Sequence, residues 1–246
     1  MMKKKRMFTM FVLLLIMVSM SVSAGSAFAE GKDPSQYDRW IWFGDSRTVG
    51  MQMTMGMEAI AEVGAEIPFF DENVSLLETF RGCNIVFNLG VNDIGANLDS
   101  PGSVPARAYL DAYQEKLSPE FFAENNVIFM AINPLDGKLA YINPLIEEFN
   151  DEMWRHLPEY WTFLDTYSWL VENGFSTVDG VHYTNDTYQA LYYKVTSPEG
   201  YAELIKPFDM QARMMQRFKE QLELRLENCN SVPVEYMYTF IVKTIS

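Results

Sequence analysis

Short apolar runs alternate along the chain with longer segments in which apolar residues recur every three or four positions. The short runs are rich in β-branched and aromatic residues, and several are apolar at consecutive positions, which is typical of parallel strands covered on both faces. They predict strands over residues 39–43, 59–63, 84–89, 126–132 and 161–165. Strands that alternate with helices in this way predict a three-layer α/β/α sandwich around a five-stranded parallel sheet.

The longer segments predict helices over residues 74–80, 106–117, 144–156 and 185–195. The third is the clearest, because Leu145, Phe149, Met153 and Leu157 form one apolar stripe in which each residue follows the last by four positions. Pro144 suits the first turn of this helix, where a backbone N–H has no partner within the helix.

The first 29 residues have the three parts of a secretory signal peptide. Basic residues at positions 3–6 precede an apolar run over residues 7–22, and small residues then end in an A-x-A motif at positions 27–29. We therefore predict cleavage after Ala29, a secreted, extracellular protein, and no stable membrane insertion after cleavage. The alternative is an uncleaved anchor, because the apolar run approaches the length that spans a bilayer.

The pattern changes near Ser197, which divides the rest of the chain into a domain over residues 30–196 and an extension over residues 197–246. Within the extension, residues 207–228 predict a charged amphipathic helix and residues 232–242 a strand-like apolar run. We expect the extension to pack on the domain, because an exposed run of this kind favours aggregation. The alternative is a small appendage that binds a partner.

Composition and charge narrow the classes of partner. The chain has 246 residues, of which 48% are hydrophobic, and this excludes a disordered protein or a small disulfide scaffold. The formal charge is −14, and removal of the signal peptide would leave 15 basic and 33 acidic residues, a net charge of −18. Such a surface argues against nucleic acid or anionic membrane as a partner. Cys83 and Cys229 could pair after export, but the sequence does not give their separation.

The residues that suggest chemistry follow the predicted strands, where active sites gather in open α/β sheets. Three polar segments stand in these loops: Gly44-Asp45-Ser46-Arg47, Gly90-Val91-Asn92-Asp93 and Asp179-Gly180-Val181-His182. Each segment alone is compatible with an ordinary turn or helix cap. Their order along the chain and their positions at strand ends make a catalytic arrangement the better interpretation.

The chain has only two histidines, which simplifies the choice of a base. His156 falls at the end of a predicted helix, where a cation complements the helix dipole, so we expect a structural role for it. His182 follows Asp179 by three residues, so that the acid can orient the imidazole as a base for Ser46. No motif for zinc, nucleotide or redox chemistry is present, and we expect no cofactor.

Over residues 40–195 these segments resemble the SGNH hydrolases, also called GDSL-type esterases and lipases. The resemblance implies a flavodoxin-like sheet order of 2-1-3-4-5, a catalytic triad of Ser46, Asp179 and His182, and an oxyanion hole made by the N–H groups of Ser46 and Gly64 with the amide of Asn92. Gly64 is the least specific of these matches, because a lone glycine after the second strand could simply begin a turn.

Arg47 departs from the family pattern, which has leucine after the nucleophile. Its guanidinium is a candidate to bind an acidic group of the substrate. The alternative is that it only pairs with Asp45 or Asp93.

The resemblance and the signal peptide together predict an exported serine esterase that hydrolyses small acyl esters, above all acetyl esters. The expected partner is an acylated small molecule or a polysaccharide, such as a carbohydrate or cell-wall polymer, and the oligomeric state stays open. A lysophospholipase, a thioesterase or an O-acyltransferase would use the same residues. A hypothesis of another class is a catalytically silent surface module, against which the complete set of catalytic residue types argues.

Overall fold

The computed structural model describes residues 32–206, and these contain a single sheet of five parallel strands. The strands are β1 (Arg39–Gly44), β2 (Ala59–Ala61), β3 (Cys83–Asn88), β4 (Asn126–Met130) and β5 (Trp161–Leu164). Their order across the sheet is β2-β1-β3-β4-β5, which confirms the predicted order and architecture. Strand β1 therefore lies between β2 and β3, and all pairs are parallel.

Helices flank the sheet on both faces. They are α1 (Ser46–Met55), α2 (Ile67–Leu77), α3 (Val91–Ala96), α4 (Ser103–Lys116), α5 (Pro119–Glu124), α6 (Asn143–His156), α7 (Thr166–Asn173), α8 (Asn185–Thr196) and α9 (Pro198–Leu204). Two short 3-10 helices span Pro34–Gln36 and Gly137–Ile142.

The central strands are buried on both faces because their side chains alternate between two hydrophobic cores. Phe43, Phe87 and Phe129 belong to the core shared with α2, α4 and α6. Trp42 and Val86 belong to the other core, which α1, α8 and α9 cover. Burial of both faces explains why these strands read as continuous apolar runs in the sequence.

Some element boundaries differ from the prediction. Strand β2 ends at Ala61, two residues before its predicted end, and Val63 is exposed in the loop that follows. Helix α2 begins at Ile67 rather than at residue 74, with a proline in its first turn. Helix α1 was not predicted at all, because Met51, Met53 and Met55 repeat every second residue and so mark no helix face.

The start of the C-terminal segment packs against the rest of the domain. Helix α9 buries Tyr201 and Leu204. Beyond it the backbone pairs with the end of β5, through a hydrogen bond from the Asp165 N–H to the Leu204 carbonyl at 2.8 Å and one from the Lys206 N–H to the Phe163 carbonyl at 3.1 Å. The chain from residue 197 to residue 206 therefore belongs to the same compact body as the sheet.

Several sequence-based predictions lie outside the described residues. They are the signal peptide and its cleavage site, the amphipathic helix over residues 207–228, the apolar run over residues 232–242, and any disulfide between Cys83 and Cys229. Cys83 itself is buried at the start of β3. Among residues 32–206, the helices are all too short or too polar to cross a membrane.

Candidate active site

Ser46 is the first residue of α1, directly after β1, and is nearly buried. Asp45 caps this helix: its Oδ1 accepts the backbone N–H of Arg47 at 2.9 Å. The N–H groups of a first helical turn have no partner within the helix, and the helix dipole places partial positive charge there. The backbone at Ser46 therefore favours negative charge near the hydroxyl.

Ser46, His182 and Asp179 form a continuous chain of hydrogen bonds. The distance from His182 Nε2 to Ser46 Oγ is 2.9 Å. On the other side of the ring, His182 Nδ1 lies 2.7 Å from Asp179 Oδ2. The residues predicted for the triad thus meet in the geometry of a nucleophile, a base and an orienting acid.

Asp179 is held in its ionised form by the loop that carries it. Its side chain accepts hydrogen bonds from the His182 ring and from the backbone N–H groups of His182 and Val181, and these hold the pKa of the carboxyl well below its ordinary value. An ionised carboxylate only accepts hydrogen bonds, so Nδ1 of His182 must carry the proton of the neutral ring. Nε2 then presents its lone pair to Ser46 Oγ, as a general base requires.

The two candidate catalytic side chains of this loop are partly open to solvent. The side chain of Asp179 is 52% exposed and that of His182 is 40% exposed. Their positions are therefore set by hydrogen bonds and by the loop backbone more than by packing. Their exposure also leaves room for a bulky group beside His182.

Asn92 lies in the first turn of α3, and its amide joins the loops after β2 and β3. Its Nδ2 donates to the carbonyl of Ala65 at 2.9 Å. Ala65 directly follows Gly64, which adopts a left-handed conformation with φ of 79° and has open space where a Cβ would lie. The second N–H of the Asn92 amide is a donor that an oxyanion could use.

Asp93, the neighbour of Asn92, ties three elements together. Its Oδ2 accepts the hydroxyl of Tyr109 at 2.6 Å, and its Oδ1 accepts the N–H of Ile67 at 3.2 Å. Burial raises the pKa of this carboxyl above its ordinary value. Asp93 therefore fixes the start of α2 and the middle of α4 around the loop that contains Gly64.

Asp45 is a buried acid beside the site. Burial raises its pKa to about 6, although the nearby charge of Arg47 acts in the opposite direction. Its side chain caps the helix that begins with Ser46. Its role in the site is to hold the first turn of α1.

Arg47 lies in the interior beside the site, where its charge acts on the buried carboxyl of Asp45. The residue is only 3% exposed, so its charge is not open to solvent. Its hydrogen bonds reach the carbonyls of Val181 and Asn133 rather than the carboxylates of Asp45 and Asp93. The physical reason is that the helix turns this side chain inward, beneath the loop that carries His182.

Two aromatic residues that the sequence did not suggest support the site. Tyr183, next to His182, is buried and its hydroxyl donates to the carbonyl of Pro134 at 2.6 Å. Tyr109 holds Asp93. Both are separated from their partners by many residues, so only the tyrosine next to a candidate base offered any signal.

Within residues 32–206, no group of three or more His, Cys, Asp or Glu side chains is placed to hold a metal ion.

Comparison with known proteins rests on structure alone. No family model matches the sequence, and no curated protein matches it either. A lipolytic protein of the G-D-S-L family from Veillonella parvula has a similar structure, with a TM-score of 0.51 and 18% sequence identity over 64% of this chain and 95% of that one.

Two further solved structures are similar at lower scores. The catalytic domain of a peptidoglycan O-acetyltransferase from Streptococcus pneumoniae has a TM-score of 0.45 and 19% identity, over 68% of this chain and 92% of its own. A GDSL-like lipase from Bacteroides thetaiotaomicron has a TM-score of 0.45 and 17% identity, over 75% and 96%. The sheet order together with the similarity to the Veillonella protein shows that this chain has the SGNH hydrolase fold.

Proposed function

We propose that this protein is a serine esterase that forms an acyl-enzyme on Ser46. The observation that carries the proposal is the unbroken chain of hydrogen bonds from Ser46 Oγ through His182 to Asp179, with distances of 2.9 and 2.7 Å. The shared fold with a lipolytic protein supports the reaction class.

The reaction follows from the positions of these groups. His182 Nε2 takes the proton of Ser46 Oγ as the oxygen attacks the ester carbonyl carbon, and the carbonyl oxygen becomes an oxyanion. The N–H groups of Ser46 and Gly64 and the amide of Asn92 stabilise that charge. The intermediate expels the alcohol, which takes the proton from His182. A water molecule, activated by the same base, then releases the acid and restores Ser46.

The substrate that we propose has a small acyl group, above all acetyl, on a carbohydrate or cell-wall polymer. The exposure of Asp179 and His182 supports a bulky alcohol part, because a polymer can reach an open base but not an enclosed one. The predicted signal peptide supports an extracellular substrate. Secretion has its own check: N-terminal sequencing of the exported protein should begin at Glu30, and a chain that still begins at Met1 would contradict cleavage.

One observation favours a second candidate, an ester with a longer acyl chain. Val63, next to Gly64, is 70% exposed, and Val178, next to Asp179, is 76% exposed. Apolar side chains on both sides of the site could contact a hydrocarbon chain. A lysophospholipase or thioesterase would use such contacts.

A panel of nitrophenyl esters tests the reaction and separates these candidates. The wild-type protein should hydrolyse the acetyl ester fastest, and Ser46→Ala should lose the activity. Ser168→Ala, a surface serine whose hydroxyl donates to Asp165, is the matched control and should retain it. An unchanged rate in Ser46→Ala would refute the proposal. A maximum rate above eight carbons would favour the second candidate, and products formed only when an alcohol acceptor is added would indicate acyl transfer.

A further inference from the structure

Arg47, the residue directly after the nucleophile, contacts the chain on both sides of the base. Its Nε donates to the carbonyl of Val181 at 3.1 Å. Its guanidinium carbon lies 5.3 Å from the centroid of the Tyr183 ring, within the range of a cation–π interaction. Val181 and Tyr183 are the two neighbours of His182, so a single side chain contacts the residue before the base and the residue after it.

The same guanidinium also holds the loop after β4. Its Nη1 donates to the carbonyl of Asn133 at 2.8 Å. This loop, residues 131–136, meets the base loop, residues 174–184, at two more points. The Tyr183 hydroxyl donates to the Pro134 carbonyl at 2.6 Å, and the Asp136 N–H donates to the Gly180 carbonyl at 2.9 Å.

The base loop needs such contacts because its catalytic side chains are poorly packed. Asp179 and His182 are each about half exposed, whereas the neighbouring Tyr183 is buried. The 2.9 Å contact between His182 and Ser46 thus depends on where the backbone of residues 181–183 lies. Arg47 connects that backbone to the first turn of the helix that carries Ser46.

We propose that Arg47 is a positioning residue, which holds the base loop so that His182 Nε2 stays on Ser46 Oγ. The inference rests on the proposed function. An arginine suits the task because its planar fork donates in several fixed directions, and a leucine at this position would donate in none. A buried cation is costly, and Nη2 is buried without a hydrogen-bond partner among residues 32–206. A role in stability alone would be met more simply by an apolar side chain.

The test compares Arg47→Met, which keeps the length of the side chain but removes the donors, with Arg47→Lys, which keeps the charge. On the nitrophenyl acetyl ester, kcat of Arg47→Met should fall about 100-fold while KM stays within about threefold, because misplacement by an ångström has an effect of this size on a reacting pair. Arg47→Lys should recover part of kcat. Arg39→Met, which removes an arginine at the far end of β1 from its pair with Glu58, is the matched control and should keep the wild-type kcat.

Several outcomes would overturn the proposal. One is a wild-type kcat in Arg47→Met. Another is an Arg47→Met variant whose kcat is unchanged but whose KM is raised for a succinyl ester, which carries a negative charge. This result would make Arg47 a substrate-binding residue instead. If Arg47→Met does not fold, Arg47→Lys decides: it keeps the buried charge but loses the planar fork that bonds both Val181 and Asn133, so its kcat should stay below that of the wild type at constant KM, and a wild-type kcat would refute the positioning role.

A spectroscopic readout separates this inference from the proposed function. The proton on His182 Nδ1, bonded to Asp179, should give a low-field NMR signal in the wild-type protein, assigned by its loss in His182→Gln. In Arg47→Met the signal should broaden or disappear even if no ester is hydrolysed. A sharp, unshifted signal would contradict the positioning role. If the wild-type protein hydrolyses no ester but the signal still depends on Arg47, only the proposed function is refuted.

Discussion

The amide of Asn92 holds a neighbouring loop, and we propose a second role for it in catalysis. One N–H holds the Ala65 carbonyl at 2.9 Å, which fixes the loop beside Gly64. In the proposed mechanism the other stabilises the oxyanion. The motif around Asn92 could be interpreted from its neighbours in the sequence. The hydrogen-bond partners of Arg47 lie 134 and 86 positions away, so no local sequence pattern reveals them.

We expect Asn92→Ala to lower kcat on the acetyl ester by roughly 10²- to 10³-fold, the effect typical of the loss of one oxyanion donor. The fold should remain, because Asn92 is half-buried on a short helix. Steady-state kinetics and circular dichroism would measure the two effects. Asn73→Ala is the control, since its amide donates to the Phe69 carbonyl within its own helix α2. Equal rates in the wild type and Asn92→Ala would remove Asn92 from the oxyanion hole.

Asp45 should make stability depend on pH. Burial raises its folded-state pKa to about 6, so the folded protein binds this proton more tightly than the unfolded chain does. Its contribution to stability is fully present below the unfolded pKa near 4 and is lost as the pH rises through the folded pKa. Between about pH 4 and 7, the free energy of unfolding of the wild type should therefore fall relative to Asp45→Asn by up to about 3 kcal/mol.

Urea unfolding of both proteins at several pH values measures this difference. The asparagine keeps the oxygen that accepts the Arg47 N–H, so the helix cap survives and other titrating groups are common to both proteins. A difference between the two proteins that does not change with pH would show that Asp45 titrates normally.

At the scale of elements, the sequence was most informative where one physical signal dominates. All five strands were predicted. Burial on both faces demands consecutive apolar residues in the central strands, and the half-buried β2 also has an apolar run. Helix α6 was predicted within one residue from its stripe. Helix α1 was missed, since its first turn is set by the Asp45 cap and its core contacts come from Met51 but not from the exposed Met53. Tertiary contacts rather than local periodicity determine that helix.

A substitution at Gly90, at the start of the G-x-N-D segment, tests how closely this backbone and Phe149 of α6 approach each other. Its φ is 132°, and a Cβ there would lie 2.6 Å from Cζ of Phe149. Gly90→Ala should therefore destabilise the protein by about 3 kcal/mol, through backbone strain and overpacking. Thermal or urea unfolding measures the loss.

Gly95→Ala, one turn further along α3, is the matched control. Among residues 32–206, no atom beyond its chain neighbours and the backbone of its own helix lies within 4 Å of a Cβ at that position, and alanine favours a helix over glycine. This variant should be as stable as the wild type or slightly more stable. Equal stability of the two alanine variants would contradict the close approach of Phe149 to the backbone at Gly90.

At the scale of the whole molecule, parallel strand order brings distant segments to one edge of the sheet. Ser46 and His182 are separated by 136 positions and yet share a hydrogen bond. The order of the segments along the chain was enough to predict that Ser46, Asp179 and His182 lie together, because strand ends in such sheets converge. The loop contacts that align it were not predictable, since they depend on backbone carbonyls that every residue carries.

The central claim is that Ser46 is a nucleophile activated by His182. Reaction with a small fluorophosphonate, followed by intact mass measurement and peptide mapping, tests this without knowledge of the natural substrate. We predict a single adduct on Ser46 in the wild type, no adduct in Ser46→Ala, and a much slower reaction in His182→Gln. A wild-type protein that stays unmodified, or one that is modified at another residue, would contradict the account.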